Sequence, residues 1–200
     1  MSLLTYNDLL TAMGNWLQRD DITALYPDFV TLFEADANAT LRTRLQTVIN
    51  TGTCANAQLG LPSDFQAMRR VTWKGDCARD LEYIEPELLA VYYPTMAPGT
   101  PEHYTIEGQS MTILPADNTT PIEFAYAQRI GPLSSGVNWL FTKYPNLYLF
   151  GSLVEAQAYA VDPQKGAMWQ QRRDDIYNDI LMLEFRTGAG LSIKVHGATP

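Results

Sequence analysis

The chain has 200 residues, of which 46% are hydrophobic and 18% are charged. This composition supports a buried core and excludes compositional disorder. Fourteen basic and 22 acidic residues give a net charge of -8, which excludes tight nucleic-acid binding driven by phosphate neutralisation. An acidic surface suits either solubility or the wall of a passage through which DNA slides without sticking.

The cysteines and the N-terminal residues indicate in which cellular compartment the protein is kept. Cys54 and Cys77 are the only cysteines, and they lie in no CxxC motif and near no histidine. They predict two reduced thiols instead of a zinc site or a disulfide framework. The opening MSLLTYNDLL has no signal-peptide pattern, and no segment approaches ~18 apolar residues. We therefore expect a protein kept in a reducing cytoplasm, with no membrane partner.

Two amphipathic helices are predicted within residues 1–44. Apolar residues between Thr5 and Arg19 recur at steps of three and four, and Thr5 with Asp8 approximates a capping box. A second helix begins near Pro27, which suits a first helical turn. Its predicted buried stripe consists of Phe29, Val30, Phe33, Ala37 and Leu41.

Residues 45–136 have a different pattern, in which short apolar runs alternate with Gly, Pro and Asp. The runs predict strands at 45–51, 58–61, 68–73, 79–84, 103–107, 111–114 and 121–130. The Lys74-Gly75-Asp76 turn predicts a hairpin, and residues 85–93 predict a short helix. This part is expected to form a small, mostly antiparallel β-rich unit.

Helical character returns over residues 137–188. One helix is predicted from Pro145 to Ala160, and a last long helix begins at Pro163. In the last helix, apolar residues recur at coiled-coil-like spacing, namely Trp169, Ile176, Ile180 and Leu183. Residues 189–200 follow as an extended tail in which Leu191, Ile193 and Val195 alternate with other residues.

The helix from Pro145 carries two adjacent stripes. Leu149, Leu153 and Ala156 form an apolar stripe that is expected to face inward. The neighbouring stripe contains Tyr148, Ser152, Glu155 and Tyr159. Tyrosine beside a core stripe indicates a contact surface, so we predict that this stripe faces a neighbouring subunit or the partner helix of the bundle.

The fold class predicted from these elements is α+β. Each amphipathic helix must bury four or five large side chains, and each such side chain contributes ~1.5 to 3 kcal/mol on burial. The N- and C-terminal helices are therefore expected to pack as a helical bundle. The β-rich unit is inserted between them in the sequence, and the extended tail follows the last helix.

No catalytic or cofactor motif stands out. The only histidines are His103 and His196, and neither accompanies a GxSxG motif. The carboxylate pairs Asp20-Asp21, Asp174-Asp175 and Glu82/Glu85 fit surface or capping roles, because adjacent helical residues point about 100° apart. We predict no enzyme activity, no cofactor and no metal. A virion-associated hydrolase and a glycan- or ligand-binding module remain the alternatives.

The order of several motifs resembles the head-to-tail adaptor proteins of short-tailed bacteriophages. The motifs are TYNDLLTAMGNWLQRDD, YPDFVTLFEADANATLRTR, LGLPSDFQAMRRVTWKG, PEHYTIEGQSMTILP and NWLFTKYPNLYLFGSLVEAQAY, before a terminal helix with aromatic residues. The LPxDF turn corresponds to residues 61–65, and the YTIxG strand and turn correspond to residues 104–108. Residues 38–40 depart from the basic, more apolar stretch that is usual in this family.

The resemblance implies a phage structural protein assembled in the host bacterial cytoplasm and carried in the virion neck. It implies a ring of twelve copies under the portal protein, joined to nozzle or tail-fibre proteins and lining the DNA exit channel. Genomic DNA would pass through without specific binding. The C-terminal segment of such adaptors reaches the portal, which assigns portal binding to Leu191, Ile193 and Val195.

Overall fold

The structure is a computed structural model that describes residues 3–19, 21–160 and 163–188. It is α+β, as predicted, and the chain forms two compact units. Among the described residues, those up to Thr43 and those from Ile130 onward form the helical unit, and Arg44–Arg129 form the β unit. The predicted β-rich insertion covered 45–136, whereas the contacts assign residues 130–136 to the helical unit.

Helix α1 spans Tyr6–Leu17 and begins with the predicted capping box. The Thr5 hydroxyl accepts from the Asp8 N–H at 3.2 Å, and the Asp8 carboxylate accepts from the Thr5 N–H at 2.9 Å. These two bonds satisfy backbone donors that a helix start leaves unpaired. The helix ends at Gln18, which has a left-handed φ of 52°.

Helix α2 spans Tyr26–Thr40 with Pro27 in its first turn. Every residue of the predicted stripe is buried, namely Phe29, Val30, Phe33, Ala37 and Leu41. Their burial confirms the predicted face. Residues three or four positions apart lie on one side of a helix, which explains why they are buried together.

Three further α-helices belong to the helical unit: α4 at Trp139–Lys143, α5 at Pro145–Ala160 and α6 at Pro163–Gly188. Helix α5 packs against α1, α2, α4 and α6. A Cβ on Gly151 would lie 2.0 Å from the Phe33 ring, so the glycine permits the close approach of α2 and α5. In α6, Trp169 and Ile180 are buried, whereas Leu183 is exposed.

The β unit contains two four-stranded sheets. The strands are β1 Thr47–Gly52, β2 Gln58–Gly60, β3 Phe65–Trp73, β4 Arg79–Asp80, β5 Glu82–Tyr83, β6 His103–Glu107, β7 Ser110–Leu114 and β8 Ile122–Gln128. Sheet A has the order β1-β8-β3-β4, and sheet B has the order β2-β7-β6-β5. All neighbouring strands are antiparallel except β5 and β6, which are parallel.

The predicted hairpin forms between β3 and β4, where Thr72 pairs with Asp80. The predicted single strand at 79–84 is instead divided between the two sheets. The Leu81 N–H donates to the Val71 carbonyl in sheet A at 2.8 Å, but the Ile84 N–H donates to the Tyr104 carbonyl in sheet B at 3.0 Å. Alternating residues predict a strand but do not specify which strand pairs with it.

Sheet B has two different faces. Met111 and Ile113 join Val71 and Phe124 of sheet A in one apolar cluster. The opposite face is covered by the short helix α3, Pro86–Tyr92. There, Leu89 packs against Leu114. This second face also carries polar side chains, among them Thr105 and Thr112.

Candidate assembly surfaces

Two members of the predicted interface stripe on α5 are buried inside the helical unit. Tyr148 and Ser152 have no exposed surface. The Tyr148 ring meets Phe33 of α2 edge-on, with centroids 5.0 Å apart, and Phe141 of α4 at 5.3 Å. Neither residue presents surface to a neighbouring chain, because α5 is surrounded by other helices of its own unit. Tyr148 instead contacts a partner helix within the bundle.

A polar cluster surrounds the Tyr148 hydroxyl. This hydroxyl accepts from Asn138 Nδ2 at 2.6 Å and donates to Glu34 Oε1 at 3.3 Å. Glu34 Oε1 also accepts from the Leu133 N–H at 2.7 Å. Burial raises the pKa of Glu34 above its ordinary value, and the two hydrogen bonds that it accepts oppose this shift. The cluster fixes the segment after Ile130 against α2 and α5.

A second connection holds the same segment. The Asn38 side chain accepts from the Ile130 N–H at 2.8 Å and donates to the Ile130 carbonyl at 3.1 Å. Asn38 lies in the stretch where the sequence departs from the adaptor pattern. Its amide satisfies both backbone groups of one residue, so this departure has a structural role within the helical unit.

The other two residues of the stripe reach the surface. Tyr159 is 59% exposed, and its ring lies 5.9 Å from that of Phe29. Glu155 is half-buried. Burial and then the nearby Asp36 carboxylate raise the pKa of Glu155, while Arg173 lowers it. Within the described chain, Glu155 and Tyr159 are the stripe residues available to a partner.

The predicted portal-binding residues Leu191, Ile193 and Val195 lie outside the described residues, as does Asp20. Asp21 pairs with Arg19, and Asp174 pairs with Arg173 at 3.0 Å. Both aspartates are therefore engaged in surface ion pairs.

The described histidine and the two cysteines differ in their surroundings. His103 Nδ1 is hydrogen-bonded to the Tyr93 hydroxyl at 2.8 Å. Cys54 is buried, and its burial raises the pKa of the thiol to about 11, whereas Cys77 is exposed. Among the described residues, no three His, Cys, Asp or Glu side chains are placed to hold a metal ion. No described helix is long and apolar enough to cross a membrane.

The β unit has an apolar surface that is not among the sequence-based predictions. Large apolar side chains are exposed around α3, namely Tyr83, Leu88, Val91, Tyr92 and Met96. We call these five residues the α3 surface. The sequence signal was present, because residues 88–93 read LLAVYY and a seven-residue helix can bury only one side of such a run.

The described chain thus presents exposed apolar residues in both units. The model of the family described as SU10 adaptor protein matches residues 4–192, nearly the whole chain. The chain belongs to this family of bacteriophage structural adaptors. Membership of this family implies that the protein is a component of the virion neck and has partners in the phage head and tail. No curated protein matches the chain significantly.

Proposed function

We propose that the protein forms a ring of twelve subunits that docks below the portal and joins it to the nozzle or tail-fibre proteins. The ring lines the channel through which DNA leaves the head. The observation that carries this proposal is membership of the adaptor family along residues 4–192. The net charge of -8 supports it, since a channel rich in basic residues would hold the phosphate backbone.

The tail at 189–200 is the proposed portal-binding element. Leu191, Ile193 and Val195 alternate with other residues, a pattern that can add as a strand to the sheet edge of another protein. Main-chain hydrogen bonds would then provide affinity, and the three apolar side chains would enter pockets on one face.

Contacts between neighbouring subunits are proposed to involve the helical unit, with Glu155 and Tyr159 contributing from α5. Exposed apolar residues are numerous on this unit, and they include Leu4, Trp16, Leu32, Val137, Tyr159, Met168, Met182 and Leu183. A stable ring contact requires about 800 Å² from each partner, and aromatic residues are enriched at such contacts.

The test is to mix the purified chain with portal rings of its phage and to determine the stoichiometry by native mass spectrometry and electron microscopy. We expect a complete ring of adaptor on each portal. Deleting residues 189–200 should weaken binding by more than about tenfold. A full-length variant in which Leu191, Ile193 and Val195 are all serine should behave like the deletion, because it keeps the tail but lacks its apolar side chains.

Two results would contradict the proposal in different ways. A chain that stays monomeric beside the portal would refute the ring adaptor itself. A tail variant that binds the portal with undiminished affinity would refute only the role of residues 189–200.

A further inference from the structure

A cavity of about 390 Å³ lies in the β unit between α3 and sheet B. This volume is in the range of cavities that accept small ligands or large side chains. Its apolar wall comes from α3 and the residues that follow it, namely Leu89, Ala90, Tyr93, Pro94 and Met96. The other wall comes from three neighbouring strands of sheet B.

The wall formed by sheet B carries several polar side chains beside Leu114. Gln58 of β2 pairs with Thr112 of β7, and Thr112 pairs with Thr105 of β6, so the three side chains form a row across the sheet. Thr105 is 1% exposed, and its hydroxyl has no hydrogen-bond partner within the described chain. A buried hydroxyl without a partner is unfavourable by about 1 to 3 kcal/mol. Because Thr105 is one of the residues that line the cavity, a hydrogen-bonding group of an occupant is a candidate partner for this hydroxyl.

The segment that carries α3 and part of the cavity lining is acidic. Residues 81–107 contain five glutamates and no lysine or arginine. All five glutamates are exposed, and Glu107 lines the cavity itself. Glu102 lies 3.5 Å from Arg79, a residue outside this segment. An anionic occupant would be repelled here, whereas a cationic one is attracted.

The α3 surface adjoins this cavity, since Met96 belongs to both. Val91 is 73% exposed and Tyr92 is 64% exposed, which leaves two large side chains of one short helix in water. The surface therefore combines exposed apolar side chains with carboxylates. Its complement is a segment that combines apolar and basic side chains.

We propose that the α3 surface binds a segment of a partner protein in which an arginine is flanked by apolar residues. The arginine side chain occupies the cavity. Its aliphatic part packs against Leu89 and Met96, and its guanidinium meets the Thr105 hydroxyl and the Glu107 carboxylate. Arginine suits this cavity better than lysine, because its planar group offers five donors and is more weakly hydrated. The flanking apolar residues cover Val91 and Tyr92.

The test is an NMR titration of the full-length chain, labelled with ¹⁵N and with ¹³C in its methyl groups. Three capped peptides serve as probes: acetyl-Leu-Arg-Leu-amide, acetyl-Leu-Glu-Leu-amide and acetyl-Gly-Arg-Gly-amide. We expect the first to shift signals of Thr105, Thr112 and Leu89 with a dissociation constant of about 1 mM, which is typical of a ligand of this size. The glutamate peptide should bind at least tenfold more weakly. The glycine peptide should bind about fivefold more weakly, because it lacks the apolar flanks.

Variants test the individual contacts. Thr105→Val removes the hydroxyl at nearly constant shape, and we expect it to raise the dissociation constant of the Leu-Arg-Leu peptide about tenfold. Glu107→Gln should raise it about threefold, since the carboxylate is exposed to solvent. Met96→Lys places a cation at the apolar wall of the cavity and should abolish measurable binding. Thr51→Val, an exposed change on strand β1, is the matched control and should bind as the wild type does.

The proposal is overturned if the Leu-Arg-Leu peptide shifts no cavity signal at about 20 mM. It is also overturned if the glutamate peptide binds equally well, or if Thr105→Val and Met96→Lys leave the affinity unchanged. Met96 is 61% exposed, so Met96→Lys should fold and provides a test of the cavity that does not depend on Thr105→Val. This inference concerns a single chain and stands or falls independently of ring formation on the portal.

Discussion

Removing the Tyr148 hydroxyl should destabilise the helical unit without disturbing its packing. Tyr148→Phe keeps the ring that contacts Phe33 and Phe141 at 5.0 and 5.3 Å. It deletes the oxygen that lies between Asn138 Nδ2 at 2.6 Å and Glu34 Oε1 at 3.3 Å. The perturbation is therefore confined to two hydrogen bonds in a buried site.

The expected loss follows from what each partner retains. Asn138 Nδ2 still donates to the Gly131 carbonyl at 2.8 Å, so it loses only one of these two hydrogen bonds. Glu34 still accepts from the Leu133 N–H at 2.7 Å but loses its second donor. A hydrogen bond to a charged or partly charged group contributes about 1.5 to 3 kcal/mol, and a neutral one contributes about 1 kcal/mol. Because the bond to Glu34 is long, we expect Tyr148→Phe to lower the free energy of unfolding by about 2 kcal/mol.

The measurement is urea denaturation followed by circular dichroism at 222 nm, with the slope m checked for constancy. Tyr159→Phe is the control on the same helix, since Tyr159 is 59% exposed, and it should change stability by less than about 0.5 kcal/mol. A loss below about 0.5 kcal/mol in Tyr148→Phe at constant m would refute the reasoning that the buried cluster stabilises this unit.

Glu34 adds a dependence on pH. Burial raises the pKa of this carboxyl above its ordinary value of 4.5, so the folded state holds the proton more tightly than the unfolded chain does. The resulting stabilisation is complete below pH 4.5 and is lost as the pH rises through the folded-state pKa. Glu34→Gln should remove this contribution while its Oε1 still accepts from the Leu133 N–H. Wild-type and variant stability curves that stay parallel throughout the rise in pH from 4.5 to neutrality would contradict this assignment.

Three further changes have expected outcomes. Gly151→Ala should destabilise the helical unit by about 1 to 3 kcal/mol in urea, because the new Cβ would lie 2.0 Å from the Phe33 ring. Thr105→Val should raise the free energy of unfolding of the β unit by about 1 kcal/mol, because it removes a buried hydroxyl without a partner in the described chain. With iodoacetamide at pH 8, Cys77 should react and Cys54 should not, as mass spectrometry would show, because Cys54 is buried and its pKa is about 11.

Each of these three outcomes has its own control. A Cβ added to Gly131 would meet no atom within 4 Å. If Gly131→Ala lowered the free energy of unfolding as much as Gly151→Ala does, the close approach of α2 and α5 would not be the cause. Thr51→Val replaces an exposed hydroxyl. If it raised the free energy of unfolding as much as Thr105→Val does, the effect would come from the β propensity of valine and not from the buried hydroxyl. Equal labelling of both cysteines in the folded protein would contradict the burial of Cys54, whereas equal labelling in urea is expected.

Local chemistry in the sequence determined several elements of this protein. The capping box at Thr5 and the stripe of α2 were predictable, because caps and helical faces depend on residues three or four positions apart. The hairpin after Trp73 was predictable for the same reason, since a turn joins strands that are adjacent in the sequence. The α+β class followed from these local signals.

Tertiary structure decided what periodicity leaves open. Helix α5 is apolar on more than one side and packs against four other helices, so its stripes could not show that Tyr148 is buried while Tyr159 is exposed. The strand at 79–84 is divided between two sheets because strand pairing depends on residues far away in sequence. The cavity beneath α3 likewise exists only because a helix covers the polar face of a sheet, an arrangement that no local pattern specifies.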